Sequence, residues 1–464
     1  MTVTDTRADG SALLDGLRAT YAEGTTRPLG WRVDQLNGLL RLLEEGEDEL
    51  LAALAADLGK PRLEAWSADL ALTAAGVRYS IAHLKRWSRP KRVRVPLWAF
   101  PGRGSIHPEP LGVALVIAPW NYPVHLLLAP MAAAIAAGNC VVGKPSEVAP
   151  ATSAALARLV PRHLDPAAVS IVEGGTSETT ALLAQRWDHI FYTGNGSVAR
   201  VVARAAAEHL TPVTLELGGK SPVLVDADAD LAVAARRIAW GKWMNAGQTC
   251  VAADHVLVHE AVVDELTERI VAAATEFFGP DPKASPDYAR IVNDRHFGRL
   301  SALIDDTGHE VVHGGQREAA ERYIGPTVVA RVEDGAVVMA DEIFGPILPI
   351  LPVADMDEAI DRVNRHDKPL ALYAFSRSSA TAARIVQRTS SGSVCLNATI
   401  LQLCVPSLPF GGVGASGYGS YHGRAGFDTF SHRKAVLAKA NHPDLRLPYP
   451  PATSLKEKIL RRLL

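Results

Sequence analysis

The sequence predicts an α/β protein with two parallel sheets and a small separate β element. Its 464 residues are too many for one simple core, and 48% of them are apolar with few aromatics. Short apolar runs alternate with helical patterns in two successive series, which is typical of strand–helix–strand units. A basic, proline-rich stretch before the first series favours a strand outside these units.

The N-terminal region, up to about residue 88, is predicted to be helical because leucines recur at helical spacing. These leucines include Leu36, Leu39, Leu40 and Leu43. From Arg89 to Pro108 the chain becomes basic and proline-rich, which predicts a strand or hairpin leaving the main body. We expect Ala435–Lys439 to pair with this excursion.

The two strand series follow in order. The first is predicted at Val113–Ala118, Cys140–Gly143, Val169–Val172 and His189–Tyr192. The second runs from about Ser221 to about Ser393. It contains the strands Pro222–Val225 and Val256–Val258 and the helix Leu231–Asn245. The segment Phe410–Gly426 is rich in glycine and is predicted to be mostly loop.

Charge and hydropathy exclude some classes of protein. A net charge of -2 without a dense basic block argues against a nucleic-acid surface. Pro123–Val142 is long and apolar, but Pro130 and the Gly138–Asn139 break predict a buried helix, a turn and a strand rather than a membrane span. Ser454–Leu464 predicts a short basic amphipathic helix. We expect it to pack against its own protein, with a membrane surface as the alternative.

The four cysteines are widely spaced and show neither a disulfide framework nor a metal-ligand pattern. They are Cys140, Cys250, Cys395 and Cys404. This spacing predicts no metal site and a reducing compartment, and Met1–Gly10 has no secretory pattern. The sequence therefore predicts a cytoplasmic protein without a transmembrane segment.

Cys250 ends the segment Asn245-Ala-Gly-Gln-Thr-Cys, which follows a predicted helix and precedes an apolar strand. Gly247 and Gln248 allow the backbone to turn closely around the thiol. A polar, partly exposed setting would lower the pKa of the thiol and favour a nucleophile. On this segment alone, a small buried hydrophobic side chain is an equal alternative.

Two further segments place polar side chains beside strand ends. Glu216 lies between apolar residues and glycines, where a raised pKa would suit a general base; a capping or salt-bridged glutamate is the alternative. Asn121 lies between Pro119 and Pro123 after a hydrophobic strand, so a fixed amide there could donate to a developing oxyanion. Alone, that segment is only a turn sequence.

Gly194–Ala199 predicts a dinucleotide site because it follows a strand, opens a helix and fits G-x-G-x-x-A. This pattern would assign Glu216 to the cofactor ribose, in conflict with its role as a base. Lys144 and Glu147, after another strand, are rival ribose ligands. The segments 341–346 and 410–419 join acidic or aromatic side chains to turn glycines and assign no chemistry alone.

Taken together and in order, seven segments resemble the aldehyde dehydrogenase superfamily: PWNYP, KPSE, FYTGN, LELGGK, GQTC, EIFGP and FGGVGASG. Leu210–Pro222 and Ser431–Lys434 resemble its class 3 branch, the fatty and aromatic aldehyde dehydrogenases. The resemblance implies a Rossmann-like cofactor domain, an α/β catalytic domain and a small bridging β element that builds a homodimer. The implied limits are 1–88 with 107–217, then 218–409, then 89–106 with 427–445, and a tail at 446–464.

The resemblance also implies a role for each segment. Cys250 matches the nucleophile, Glu216 the general base and Asn121 the oxyanion donor, which resolves the conflict over Glu216. The implied cofactor-binding residues are Pro119, Trp120, Lys144, Glu147, Gly194, Ser197, Glu342 and Phe344. Class 3 relatives usually carry glycine where this chain has Ser197 and Ala199, so a bulkier pyrophosphate loop is expected, with NAD or NADP as the cofactor.

The implied reaction is oxidation of an aldehyde to its carboxylate through a thiohemiacetal and a thioester on Cys250. The implied pocket is apolar, and 397–410 contains no arginine to pair with a second carboxylate. Medium- or long-chain aliphatic or aromatic aldehydes are therefore favoured. The pocket residues are Tyr122, Met244, Ile400, Leu401 and Phe410. The alternatives are acyl transfer to coenzyme A, which Glu216 disfavours, and a non-catalytic protein on the same fold.

Overall fold

The computed structural model describes residues 6–306, 308–444, 446–447 and 449–463. Residues 1–5 and Leu464, which belonged to the predicted N-terminal region and C-terminal helix, lie outside this part. The described helices are α1 Thr6–Ala22, α2 Leu29–Glu45, α3 Glu47–Leu58, α4 Arg62–Ala65, α5 Leu72–Trp87, α6 His125–Ala137, α7 Pro150–His163, α8 Thr176–Leu183, α9 Gly196–Glu208, α10 Leu231–Trp243, α11 Val263–Phe278, α12 Asp294–Asp305, α13 Val337–Ala340, α14 Met356–Arg365, α15 Ser379–Arg388, α16 Gly423–Thr429 and α17 Ser454–Leu463.

The strands show both predicted series, with shifts of a residue or two at their ends. They are β1 Lys91–Val93, β2 Gly102–Pro110, β3 Val113–Ile117, β4 Cys140–Lys144, β5 Val169–Ile171, β6 His189–Thr193, β7 Val213–Glu216, β8 Pro222–Val225, β9 His255–His259, β10 Val311–His313, β11 Arg317–Glu318, β12 Tyr323–Ile324, β13 Thr327–Val329, β14 Ile347–Val353, β15 Ala371–Phe375, β16 Ser393–Leu396, β17 Gly417–Tyr418 and β18 Ser431–Lys439.

The first large sheet has the order β17-β7-β6-β3-β4-β5, with β3 to β7 parallel. Strand β17 pairs antiparallel with β7, so the glycine-rich segment predicted as loop closes one edge of this sheet. The strand order reverses between β3 and β6. In such sheets the crevice at the carboxyl ends of the two diverging strands is the ligand site. Here these ends lead into Pro119–Asn121 and into Gly194.

The second large sheet has the order β10-β13-β14-β9-β8-β15-β16. It is parallel from β13 to β16, and β10 joins it antiparallel. The predicted helix Leu231–Asn245 ends two residues early, at Trp243. The next residues include Asn245 and Ala246 with left-handed φ values of 53° and 50°, which an α-helix cannot accommodate.

The third sheet, β1-β2-β18, stands outside both series. Strand β18 pairs with β2 over nine residues, from Ser431 opposite Pro110 to Lys439 opposite Gly102. This confirms the predicted pairing of Ala435–Lys439 and extends it. The pairing of residues 431–434 with β2 was not predicted, because these residues are polar or charged and show no apolar alternation.

The apolar run Pro123–Val142 forms the predicted buried helix, turn and strand. Helix α6 ends at Gly138 with a φ of 96°, and a side chain there would collide with the Arg32 guanidinium. No helix in the described ranges is long and apolar enough to cross a membrane. The amphipathic α17 leaves Leu455 67% and Ile459 38% exposed, so the expectation that it packs against its own chain is wrong for these described side chains.

Candidate active site

The loop before Cys250 reverses the chain through three consecutive left-handed residues, Asn245, Ala246 and Gly247. Gly247 is required there, because a Cβ atom would lie 2.2 Å from the carbonyl oxygen of Gly345. The Gln248 side chain holds the turn: its amide donates to the carbonyl oxygens of Asn245 and Arg290, each at 2.9 Å. A strained backbone of this kind persists only where the surrounding structure fixes it.

Asn121 lies directly against this loop. Its Nδ2 donates to the carbonyl oxygen of Gln248 at 3.0 Å, and Asn245 Nδ2 donates to the carbonyl oxygen of Asn121 at 2.9 Å. An amide nitrogen carries two protons, so one remains for another acceptor. The structure therefore brings Asn121 to the backbone that leads into Cys250.

The Cys250 thiol is only partly exposed, and its surroundings do not favour the thiolate in the absence of bound ligands. Burial raises the pKa of Cys250 to about 12, and the carboxyl groups of Glu342 and Glu216 raise it further in the same direction. The expectation that the pKa of Cys250 is lowered is therefore wrong. The reason is that the segment alone does not reveal two acidic side chains from distant parts of the chain.

Glu216 ends β7 with both carboxyl oxygens buried and without a hydrogen-bond partner among the described residues. Burial raises the pKa of Glu216 well above its usual range, in the direction expected for a general base. A buried carboxylate without donors is costly, so burial favours the protonated form of Glu216. Its carbonyl oxygen accepts from the Gly194 backbone N–H at 3.0 Å, next to the predicted cofactor loop.

Glu342 lies against the glycines that follow Glu216. A Cβ atom on Gly218 would lie 2.1 Å from Glu342 Oε2, which explains the glycine at that position. Burial raises the pKa of Glu342 to about 8, and Oε1 has no partner among the described residues. Lys220 fixes this loop, since its Nζ donates to Asp254 at 2.5 Å and to the carbonyl oxygen of Asp341 at 3.0 Å.

The residues predicted to contact the adenosine ribose follow β4, and those of the predicted pyrophosphate loop follow β6. Lys144 Nζ lies 3.5 Å from Glu147 Oε2. Gly194 has no room for a side chain, because a Cβ atom would lie 2.2 Å from the Tyr192 hydroxyl. The exposed Ser197 hydroxyl donates to the side chain of the α9 N-cap, Asn195, at 2.6 Å.

Two aromatic residues assigned to the cofactor site, Trp120 and Phe344, contact each other. The rings of Trp120 and Phe344 are 5.5 Å apart and nearly perpendicular. Of the predicted pocket residues, Tyr122 shares a 2.7 Å hydrogen bond with Thr249, next to Cys250. Ile400 and Phe410 are buried and Met244 is partly buried, whereas Leu401 is 46% exposed.

The sequence analysis missed a buried ion pair that supports Asn121. Lys60 and Asp69 are fully buried and 2.8 Å apart, and Lys60 Nζ also donates to the carbonyl oxygen of Asn121 at 2.8 Å. Asp69 Oδ1 accepts the backbone N–H groups of Val124 and His125 at the start of α6. The sequence does carry a signal for this pair, because Lys60 and Asp69 are opposite charges nine positions apart in a helical region rich in alanine and leucine.

Replacement of Lys60 by methionine should lower the free energy of unfolding by about 3–5 kcal/mol, because Asp69 would remain buried without its partner. Arg62→Met is the matched control, since Arg62 pairs with Asp48 at the surface and should cost less than about 1 kcal/mol. Denaturant unfolding of both variants measures the difference. Equal stabilities would show that the buried pair does not hold this segment.

Alkylation of Cys250 in the cofactor-free protein should be slow at neutral pH and should accelerate as the pH rises toward the raised thiol pKa. Glu342→Gln removes a charge that is present only above the pKa of Glu342, about 8. The variant should therefore react faster than the parent at alkaline pH and equally fast below neutral pH. Iodoacetamide labelling followed at the Cys250 peptide tests this, and a pH-independent difference would contradict it.

This geometry joins a thiol, an amide donor and two buried carboxyl groups at the switch point of a doubly wound sheet. The sequence profile described as "Aldehyde dehydrogenase family" matches residues 6–436. The chain belongs to the aldehyde dehydrogenase family. It is therefore an oxidoreductase that oxidises aldehydes with NAD or NADP.

Relatives of this aldehyde dehydrogenase place it near the class 3 branch. It is 47% identical over 442 residues to "Aldehyde dehydrogenase family 3 member A2" of Mus musculus, covering 95% of this chain and 91% of that protein. It is 45% identical over 444 residues to "Aldehyde dehydrogenase, dimeric NADP-preferring" of Canis lupus familiaris, covering 95% and 98%. The structure described as "Substrate bound state of Staphylococcus Aureus AldH" has a TM-score of 0.95 at 40% identity, covering 97% and 98%.

Proposed function

We propose that Cys250 is the nucleophile, Asn121 the oxyanion donor and Glu216 the general base of this dehydrogenase. The observation that carries the proposal is that the Glu216 carboxyl group, buried and without a partner among the described residues, lies within electrostatic reach of Cys250, whose loop Asn121 contacts. Cys250 loses its proton and its Sγ attacks the aldehyde carbon. The free amide proton of Asn121 and the Cys250 backbone N–H stabilise the resulting oxyanion.

A dinucleotide held at this site would supply the hydride acceptor for oxidation of the thiohemiacetal. The protein then holds a thioester on Cys250. Glu216 removes a proton from water, the water oxygen attacks the thioester carbonyl, and the carbon–sulfur bond breaks to release the acid and the Cys250 thiol.

Eight residues are proposed to hold the dinucleotide. Glu342 Oε1 is buried and unpartnered, as an acceptor for ribose hydroxyl groups should be. Lys144 and Glu147 would contact the adenosine ribose. Pro119, Trp120, Gly194, Ser197 and Phe344 complete the set. The positions of Lys144 at the end of β4 and Gly194 after β6, and the contact between Trp120 and Phe344, support this assignment.

The substrate is proposed to be a medium- or long-chain aliphatic or aromatic aldehyde, in a pocket of Tyr122, Met244, Ile400, Leu401 and Phe410. The buried ring of Tyr122, which is hydrogen-bonded to Thr249 and near Cys250, supports this class. Coenzyme A as the acyl acceptor is disfavoured, because Glu216 is a buried base that only hydrolysis needs.

We also propose a cytoplasmic homodimer with the domain limits given above. The third sheet supports an interface, because it lies outside both large sheets and exposes apolar side chains. These include Leu97, Phe100 and Leu437, which are 75%, 61% and 57% exposed. The name of the canine relative, which includes "dimeric", agrees with this proposal.

Replacement of Cys250 by alanine should abolish aldehyde-dependent NAD(P)H formation, because no thioester can form. Cys404→Ala, which removes an exposed thiol, is the matched control and should remain active. A panel of aldehydes assayed with NAD⁺ and NADP⁺ in parallel fixes the substrate class and the cofactor preference. Activity retained in Cys250→Ala would overturn the proposed nucleophile.

A further inference from the structure

A cavity of about 50 Å³ lies between α5, α6 and the segment 403–423. Most of its wall is apolar, with side chains such as Val77, Ala129 and Leu403. Two histidines, His125 and His422, interrupt this apolar lining. Neither histidine takes part in the proposed reaction.

The cavity adjoins the proposed active site. Tyr421 lines it, and the pKa of the Tyr421 phenol is raised by burial and by the charges of Glu216 and Cys250, which are therefore within electrostatic reach. Phe410, a predicted pocket residue, packs on Tyr421 and His422 with ring centroids 5.7 and 5.4 Å apart. Phe410 therefore links the proposed pocket to the wall of the cavity at Tyr421 and His422.

The hydrogen bonds of His125 fix its tautomer. His125 is 8% exposed, and its Nδ1 lies 2.8 Å from the Thr73 hydroxyl. That hydroxyl donates its single proton to the carbonyl oxygen of Asp69 at 2.6 Å. It must therefore accept from His125, whose Nδ1 carries the proton.

His125 consequently presents an acceptor to the cavity. Burial lowers the pKa of His125 to about 4, so the ring is neutral at physiological pH and Nε2 keeps its lone pair. No described residue donates to this Nε2. His422 lies beside it: burial lowers the pKa of His422 to about 3, and its Nε2 is buried without a partner among the described residues.

We infer that His125 selects aldehydes whose apolar body carries a hydroxyl group, phenolic or aliphatic, at the end remote from the carbonyl. The inference rests on the proposed function of the Cys250 site. The substrate hydroxyl donates to Nε2 of His125. A methyl group in the same place leaves Nε2 of this largely buried ring without a donor, which is how a polar site rejects an apolar analogue.

The test compares matched probes that differ only in this group: 4-hydroxybenzaldehyde with 4-methylbenzaldehyde, and 8-hydroxyoctanal with nonanal. The readout is the ratio of kcat/KM for the hydroxyl and methyl probes, in the parent protein relative to His125→Leu. This double ratio cancels differences in intrinsic carbonyl reactivity. We expect it to be about three- to tenfold for at least one pair, as for one neutral hydrogen bond.

His125→Gln is the second variant, because its amide oxygen can accept a hydrogen bond and should recover part of the preference. A double ratio near one for both pairs, with methyl probes turned over normally, would overturn the inference and leave the proposed function standing. Failure of the parent protein to oxidise any probe would overturn the proposed function itself, and with it this inference.

Discussion

Replacement of Glu216 by glutamine should leave the first turnover intact and slow the following ones by orders of magnitude. The amide cannot take a proton from water, so thioester hydrolysis stops while thioester formation continues. We therefore expect a burst of NAD(P)H equal to the number of active sites, followed by a slow steady state. Stopped-flow absorbance of the reduced cofactor measures both phases.

The pH dependence of the parent enzyme tests the same assignment. Because burial raises the pKa of Glu216, its deprotonated fraction increases with pH above the usual carboxyl range. The steady-state rate of the parent should rise over that range when hydrolysis is limiting, whereas the residual rate of Glu216→Gln should not follow this titration. Glu208→Gln, at an exposed site on α9, is the matched control. Absence of a burst in Glu216→Gln would contradict the role of a base.

Replacement of Asn121 by alanine should lower kcat by about 10²–10³, the usual effect of removing one oxyanion donor. Its amide donates to Gln248 and keeps one proton for the oxyanion, so the loss falls on the step that forms the thiohemiacetal. The variant should therefore show no fast burst.

A purely structural role for Asn121 makes a different prediction. If its amide served only to hold the Cys250 loop, Asn121→Ala would change the rate of Cys250 alkylation in the absence of aldehyde as much as it changes turnover. We expect alkylation to change far less than kcat. A parallel loss of both would contradict the oxyanion role.

Much of the fold could be predicted because its signals are local. The strands of both series are short apolar runs, and β8 was predicted at its observed bounds, Pro222–Val225. The register of β18 against β2 was predicted only for Ala435–Lys439, since Ser431–Lys434 shows no apolar periodicity. The end of α10 was misplaced because left-handed residues at 245 and 246 are imposed by packing and not by their side chains.

The residues of the candidate site could be predicted from the sequence, but the shifts in their pKa values could not. Resemblance brought Cys250, Glu216 and Asn121 together. The pKa of Cys250 is raised first by burial and then by Glu342 and Glu216, which lie far from it in sequence. The Lys60–Asp69 pair and the acceptor on His125 escaped detection for a similar reason: each is defined by a partner that only the tertiary structure supplies.

The central claim is that the aldehyde becomes a thioester on Cys250 that Glu216 helps to hydrolyse. Mass spectrometry of Glu216→Gln, quenched in acid during the slow phase with an aldehyde and NAD(P)⁺, tests it most directly. We expect an acyl adduct on the Cys250 peptide of Glu216→Gln and none on the same peptide of the parent enzyme. An unmodified Cys250 peptide in the variant, or an adduct on another cysteine, would contradict it.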